Sequence, residues 1–349
     1  MRIDGGQSLD ADNKAGTSLM LGAMLKEGTK SKTPAEFEEA IDLLGSSISV
    51  STDLEGLYVS GNTLAKNFDK TIELLTEMLT EPRWDEQAFG LVKNRRLTQI
   101  KQRKTNAQSV AFDALAKQLY GNNHPASIPI GGTESSVQSI TMDDIKGYFK
   151  QNISPIVSHL HIAGNITQDN ANRSLQILAN KWNGNKVKIP KIPIAKIPSK
   201  SKVFFIDIPD SKQSAISVGT LTVPGGSLEL FKLSVVNNRL GGGMEARLMR
   251  TLRLEKGYTY GAGSFLRENT FQTPFYAYSQ VRSNVTLESL EIFKDIINGY
   301  AKSYNNEDLE TTKNKLIKGN ALRFERLASL INMLDTMSKY DYSNTYIQN

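Results

Sequence analysis

Three prolines, Pro190, Pro193 and Pro198, interrupt the stretch GNKVKIPKIPIAKIPSKS at residues 184–201. Each fixes its own φ and lacks an amide donor, so neither a helix nor a central strand can run through. With lysines between the prolines, residues 186–201 read as an extended, semi-rigid linker. It separates a first domain, 1–185, from a second, 202–349. The linker matters because the order of elements before it recurs after it. On the first side, Thr33-Pro34-Ala35-Glu36 is a capping box with proline at the first helical position. Phe37, Ala40, Ile41 and Leu44 follow at helical spacing, and Gly45 ends the helix. The alternation in SSISVSTDLEGLYVSGNT, residues 46–63, predicts two strands around a turn. Asn67 is placed to cap a helix with Phe68, Ile72, Leu75 and Leu79 on one face, which Pro82 ends. Asp85 opens a long helix to about 104. Beyond GNNHPASIPIGG, a helix begins at Thr141 to Asp144, residues 156–164 form a strand, and Thr167 caps the last helix.

On the second side, strands at 202–208 and 214–222 precede helices at about 227–240 and 244–255. A strand pair at 257–267 and 274–282 follows, then helices at 286–303 and 306–322. The shared core is helix, glycine, strand, turn, strand, helix, helix. Such self-similarity predicts an α+β chain of two duplicated domains, each a mainly antiparallel sheet with helices packed on one face. The second copy reaches DYSNTYIQN before any counterpart of the 156–164 strand, so a C-terminally truncated second domain is expected.

A length of 349 residues suits two domains at about 150 residues each. Apolar residues at 39% and charged residues at 22% supply two cores and a hydrated surface. No run approaches the roughly 18 apolar residues of a membrane span, and MRIDGGQSLDADNK has no apolar signal region. The lack of cysteine excludes disulfides, thiolate zinc sites and cysteine nucleophiles without identifying the compartment. The net charge of +6 is concentrated in KNRRLTQIKQRK and KVKIPKIPIAKIPSKSK. The first run carries Leu91, Leu97 and Ile100 along an amphipathic helix, so its cations read as a solvated face and nucleic acid is not an expected partner.

Chemistry has few places to reside. His159 and His161 alternate along one strand and could share a metal, but no acidic residue lies nearby in sequence to complete three ligands. His124 stands in a turn-like setting before proline. LGGGMEAR, residues 240–247, has glycines before a helix but lacks the Gly-Lys-Ser/Thr ending of a phosphate loop, so a flexible helix–helix joint is expected. No Gly-x-Ser-x-Gly elbow occurs. In LRLEKGYTYGA, residues 252–262, a helix ending on Arg253 turns through Gly257 into a strand bearing Tyr260. A permanent guanidinium fork and a neutral phenol could converge on a carbonyl oxygen or oxyanion. The alternative is a surface arginine in a salt bridge beside a core tyrosine.

These elements together resemble the pitrilysin/insulinase family of zinc metallopeptidases, the inverzincins. The resemblance rests on LGGGMEARLMRTLRLEKGYTYGAGSF, on AGTSLMLGAMLKEGTKSKTPAEFEEAIDLLGSSISVS and on the His-Pro loop GNNHPASIPIGG, and covers nearly the whole chain. It implies half of a clamshell peptidase. Active members carry His-x-x-Glu-His before the Gly-Thr turn; the histidines bind zinc and the glutamate activates water. Here those positions, in a helix near 15–27, read Leu19-Met20-Leu21-Gly22-Ala23. Leu19, Gly22 and Ala23 offer neither ligand nor base, so this chain is expected to bind no zinc or other cofactor. The resemblance places Arg253 and Tyr260 on the family's arginine–tyrosine pair, which holds substrate carbonyl and oxyanion opposite a zinc belonging to a homologous partner half. The expected partners are that zinc-bearing subunit, in a heterodimer, and unfolded peptides added as a strand along a sheet edge. A catalytically silent scaffold or assembly protein on the same fold is the alternative. A bacterial, extracytoplasmic (periplasmic) location is expected.

Overall fold

The structure, a computed structural model, describes residues 1–347. The chain opens with β1 (Arg2–Asp4), α1 (Thr17–Met24), α2 (Pro34–Leu43), β2 (Ser47–Thr52) and β3 (Gly56–Asn62). There follow α3 (Phe68–Thr80), α4 (Glu86–Thr105), α5 (Ala107–Tyr120), α6 (Glu134–Ser139), α7 (Met142–Asn152), β4 (Ser158–His159) and α8 (Gln168–Lys181). The second series is β5 (Gln213–Pro224), α9 (Leu228–Gly241), α10 (Arg247–Met249), β6 (Thr259–Leu266) and β7 (Gln272–Arg282). It continues through α11 (Thr286–Ser303), α12 (Asn306–Arg323) and α13 (Leu327–Lys339). Among the described residues no helix is long and apolar enough to cross a membrane.

One compact unit gathers Met1–Lys101, Ile128–Lys191 and the chain from Leu327. Its antiparallel sheet has the order β2-β3-β1-β4. The β2–β3 hairpin is held at its turn by Asp53, whose carboxylate accepts from the Glu55 and Gly56 amides at 2.8 Å and from the Tyr58 hydroxyl at 3.0 Å. The Thr33 box forms as expected: the Thr33 amide donates to Glu36 Oε2 at 2.8 Å and the Glu36 amide to Thr33 Oγ1 at 3.3 Å. Ile3, Leu21, Leu25, Leu57, Met78 and Leu79 fill the core under this sheet.

Three local expectations change here. Asn67 does not cap α3; its amide group donates to the Leu44 carbonyl at 2.7 Å and ties the helix entry to the end of α2. The 156–164 strand contracts to Ser158–His159, which pair with Ile3 and Arg2 of β1. Leu91 is 65% exposed; Ala88, Phe89, Val92 and Ile100 form the buried face of α4 instead.

The second unit consists of Gln102–Ser127 and Ile192–Arg326. Its sheet has the order β5-β7-β6, all antiparallel. Ile216, Leu252, Ala277, Val281 and Phe293 pack on one face under α10 and α11. Side chains alternate faces along a strand, and the opposite face receives α5. There Gln108 donates to Ser217 Oγ at 3.1 Å, and Phe112 meets the rings of Phe265, Tyr276 and Tyr278 at 5.5–6.1 Å. Gly219 permits this approach, since a Cβ there would stand 3.0 Å from Leu115 Cδ2 and 2.7 Å from the Phe275 carbonyl oxygen. Residues 102–127, which precede the proline stretch, therefore build the second unit. Residues from 327, which follow it, join the first; the domains interleave in sequence rather than dividing at 186–201.

The strand expected at 202–208 is absent. The segment carries no regular secondary structure, and among the described residues β5 pairs only with β7, so no strand ladders with it. The helix expected at 244–255 divides into the single turn of α10 and a π-helical turn, Arg250–Glu255.

Candidate functional site

The helix that resembles the zinc-binding one is α1. Asp10 closes its N-terminus, accepting from the Gly16 amide at 2.7 Å and the Ser18 amide at 2.9 Å. Burial pushes the Asp10 carboxyl up to about 6, against the opposing pull of those amides. Gly22 is buried, and a Cβ there would stand 3.1 Å from Val50 Cγ1 on β2. Leu19 lies against Gly131 and Ala23 is half-buried at the edge of the core. A glutamate at position 22 would thus be driven into the sheet. The positions lack zinc donors, and a side chain at 22 would press on Val50. Among the described residues no three His, Asp or Glu side chains are grouped to hold a metal.

The histidines are spent on structure. The His124 ring stacks on Tyr120 at 4.7 Å, accepts from the Ala126 amide through Nδ1 and lies 2.9 Å from the Pro193 carbonyl through Nε2. It pins the proline stretch to the Asn-His-Pro turn. His159 bridges Asp4 at 3.1 Å and Ser338 at 3.0 Å, while His161 Nε2 lies 3.6 Å from Asp335. Both carboxylates are already engaged by Arg2 at 2.8 Å, an ion-pair network rather than a ligand set. Burial pulls the His161 imidazole below its ordinary value, favouring its neutral form.

The glycine-rich loop at 240–247 offers no cradle for phosphate. Lys315 Nζ donates to Asn238 Oδ1 at 3.2 Å and to the Gly242 carbonyl at 3.3 Å. A Cβ at Gly241 would stand 2.1 Å from the Ser264 amide nitrogen. The glycines serve a tight crossing of α9 over β6, not a flexible joint.

Arg253 and Tyr260 lie on one helix-to-strand junction. The Lys256 amide reaches the Thr251 carbonyl at 3.0 Å, the i→i−5 bond of a π turn, and the Tyr258 amide reaches Leu252 at 2.9 Å. Gly257, at φ 64°, makes that reversal without a Cβ penalty. Leu252 is fully buried, so its neighbour Arg253 faces solvent. Nearby arginines are paired: Arg250 with Glu255 at 2.9 Å, and Arg239 and Arg247 with Asp308 at 3.0 and 2.6 Å. Arg253 has no carboxylate partner among the described residues; its Nη1 rests 3.8 Å from Met244 Sδ, a weak acceptor. The salt-bridged arginine expected as the alternative is not what the fold builds.

Tyr260 is set outward by a β-bulge. Thr259 pairs with Val281 and Ala262 with Ser279, so Tyr260 and Gly261 together oppose the single residue Gln280. The Thr259 hydroxyl fastens the bulge, donating to the Gln280 carbonyl at 2.5 Å and accepting from the Gly261 amide at 3.0 Å. Ser279 donates to the Gly261 carbonyl at 3.0 Å. Tyr260 is consequently 88% exposed, where an unbulged register would carry it onto a different face. Thr259 and Met244 are the residues that sequence reasoning missed. Only the β-branched residue between two aromatics hinted at the first, and nothing signalled the second.

Duplicated α+β units, a metal-motif helix whose positions 19, 22 and 23 carry no donor side chain and an exposed arginine–tyrosine junction define a metallopeptidase-type fold in which the described residues group no metal-holding side chains. Residues 1–134 match Insulinase (Peptidase family M16), and residues 139–316 match the Peptidase M16 inactive domain. The chain belongs to the M16 peptidase family. It is 25% identical over 336 residues to the non-peptidase homolog YmxG of Helicobacter pylori, spanning 94% of this chain and 76% of that protein. It is 26% identical over 250 residues to the uncharacterized zinc protease YmxG of Bacillus subtilis, spanning 72% of this chain and 60% of the other. The crystal structure of a peptidase M16 inactive domain from Pseudomonas fluorescens superposes with a TM-score of 0.91 at 23% identity, covering 99% of this chain and 83% of its own. A protease structure from Helicobacter pylori gives 0.86 at 15% identity, covering 100% and 87%.

Proposed function

We propose that this chain is the non-catalytic subunit or half of a zinc-dependent endopeptidase. In this reading it binds an extended peptide and presents Arg253 and Tyr260 to the oxygen of the scissile carbonyl, while the metal belongs to a homologous partner. The observation that carries the proposal is an Arg253 guanidinium with no carboxylate partner among the described residues, on the same helix-to-strand junction as the exposed Tyr260, in a chain whose α1 has no metal-donor side chain at positions 19, 22 and 23. An arginine kept clear of carboxylates retains its charge for an incoming carbonyl. The tyrosine adds a neutral donor whose proton need not be lost. Both stabilise negative charge as it develops on oxygen. The non-peptidase designation of the Helicobacter relative supports a member that does not cleave by itself.

The test is reconstitution with a homologue carrying His-x-x-Glu-His, following cleavage of an unfolded peptide. Arg253→Ala and Tyr260→Phe are each expected to lower kcat on the order of 100- to 1,000-fold while leaving assembly intact. Wild-type turnover by both variants would remove the pair from the mechanism. Failure of every zinc-bearing homologue to yield activity would favour a catalytically silent scaffold.

A further inference from the structure

The chain has nine methionines and no cysteine. Met20, Met24, Met78, Met142 and Met333 are buried, and Met1, Met249 and Met337 are half-buried. Met244, in the turn between α9 and α10, is the exposed one, at 53%. The fold holds that turn from both sides. Before it, α9 crosses β6 so closely that a Cβ at Gly241 would meet the Ser264 amide nitrogen, and Lys315 ties down the Gly242 carbonyl at 3.3 Å. After it, the Ala246 amide donates to the Gly243 carbonyl at 3.1 Å, and Ala246 and Leu248 are buried. Met244 Sδ accepts a weak hydrogen bond from Arg253 Nη1 at 3.8 Å. The carboxylates of the neighbourhood are engaged elsewhere: Glu255 with Arg250, Asp308 with Arg239 and Arg247, and Glu245 with Arg239 at 3.8 Å. The exposed thioether of the chain thus touches an exposed arginine that has no carboxylate partner among the described residues.

We propose that Met244 is a site of reversible oxidation by peroxide, and that its sulfoxide fastens the Arg253 guanidinium. Hydrogen peroxide delivers one oxygen atom to a lone pair of Sδ. The S–O bond forms as the O–O bond breaks, and sulfur is oxidised by two electrons. The proton on the transferred oxygen passes to the departing hydroxide, so peroxide is reduced to water. Susceptibility follows exposure, and with no cysteine in the chain no thiolate competes for the oxidant. A thioether sulfur is a weak acceptor, whereas a sulfoxide oxygen is strongly dipolar and takes a charge-assisted hydrogen bond from a guanidinium. Methionine is unbranched with three rotatable bonds, so side-chain rotation alone can turn the oxygen of either epimer onto Nη1. Oxidation converts a loose contact into a clamp, and the sulfoxide reductases, one for each epimer, release it. The site rests on this geometry alone. Only its consequence, an Arg253 withheld from a substrate carbonyl, rests on the role proposed above for Arg253 and Tyr260.

The test treats the full chain with a small excess of hydrogen peroxide and maps the products by mass spectrometry. Met244 is expected to oxidise several-fold faster than any of the other eight methionines. Phenylglyoxal, which condenses with accessible guanidinium groups, then reads Arg253 itself. Its labelling at Arg253 is expected to slow several-fold in the oxidised chain, to stay unchanged at Arg250, and to recover after treatment with both sulfoxide reductases. In Met244→Leu, peroxide is expected to leave Arg253 labelling unaltered. Met244→Gln, which carries a permanent amide oxygen, should slow that labelling without peroxide. Oxidation of Met244 no faster than that of Met249 or Met337 would overturn the proposal. So would unchanged Arg253 labelling once Met244 is oxidised, or the same slowing in Met244→Leu. No step reads peptide cleavage, so the outcome is independent of whether the Arg253–Tyr260 pair serves a peptidase.

Discussion

At the scale of single residues, this chain separates what a motif has lost from what the fold has then filled. Gly22 stands where the family resemblance puts the general base, and Val50 occupies the direction that side chain would take. Gly22→Glu is therefore expected to destabilise the chain by roughly 2–4 kcal/mol, through overpacking and a buried carboxylate, without creating a metal site. Urea melts would read the loss; a stability equal to wild type would mean that α1 is not pressed on β2. Thr259 makes the complementary case. Thr259→Val keeps the shape but removes the hydroxyl that fastens the bulge. It should lose about 1–2 kcal/mol, because the Gln280 carbonyl and Gly261 amide lose their partner. In a reconstituted peptidase it should also lower kcat more than it raises KM, since it displaces Tyr260 rather than the peptide. Unaltered kcat would separate the bulge from function.

At the scale of elements, the sequence was most legible where local chemistry and tertiary packing agree. The Thr33 box, both hairpins and α9, with Ser227 as its cap, stand where periodicity puts them. It was least legible where a partner decides. Residues 202–208 have the composition of a strand but no neighbour to pair with, and 156–164 is reduced to the two residues that pair with β1. No sequence period reveals that α5, written in the first repeat, is placed over Gly219 in the second. Of the candidate site, the arginine and tyrosine were readable, but the bulge that exposes the tyrosine was not, because a bulge is a property of two strands. The cap of α1 lends itself to a pH test. Asp10 keeps its proton in the folded chain up to about 6, whereas an unfolded aspartate releases it near 3.8. Stability from the protonated form is therefore complete below the unfolded value and is lost as pH rises through the folded one. At about 1.4 kcal/mol per unit the loss is roughly 2–3 kcal/mol between pH 4 and 6.5. Asp10→Asn, which cannot ionise, should flatten that part of the profile. An unchanged slope in the variant would place the titration elsewhere.

At the scale of the whole molecule, interleaving sets what can fold alone. The second sheet's α5 face is covered by residues 102–127, so the fragment 192–326 would expose Leu221 and Tyr276 and lose the partners of Phe265 and Tyr278. Leu119 and Tyr120 are buried and Phe112 and Leu115 half-buried, and withdrawing one apolar side chain fully from water contributes about 1.5–3 kcal/mol. Over these four side chains the contribution is comparable with the entire stability of an ordinary domain. The fragment 192–326 should therefore be unfolded or aggregated, with weak near-ultraviolet circular dichroism and strong binding of a hydrophobic dye. Adding 102–127 as a separate peptide should restore a cooperative thermal transition. A cooperative melt by 192–326 alone would show that α5 decorates this unit rather than completing it. Rescue specifically by 102–127, lost with Phe112→Ala, would instead identify the inserted helix as the element that lets the second repeat fold and hold the Arg253–Tyr260 junction in place.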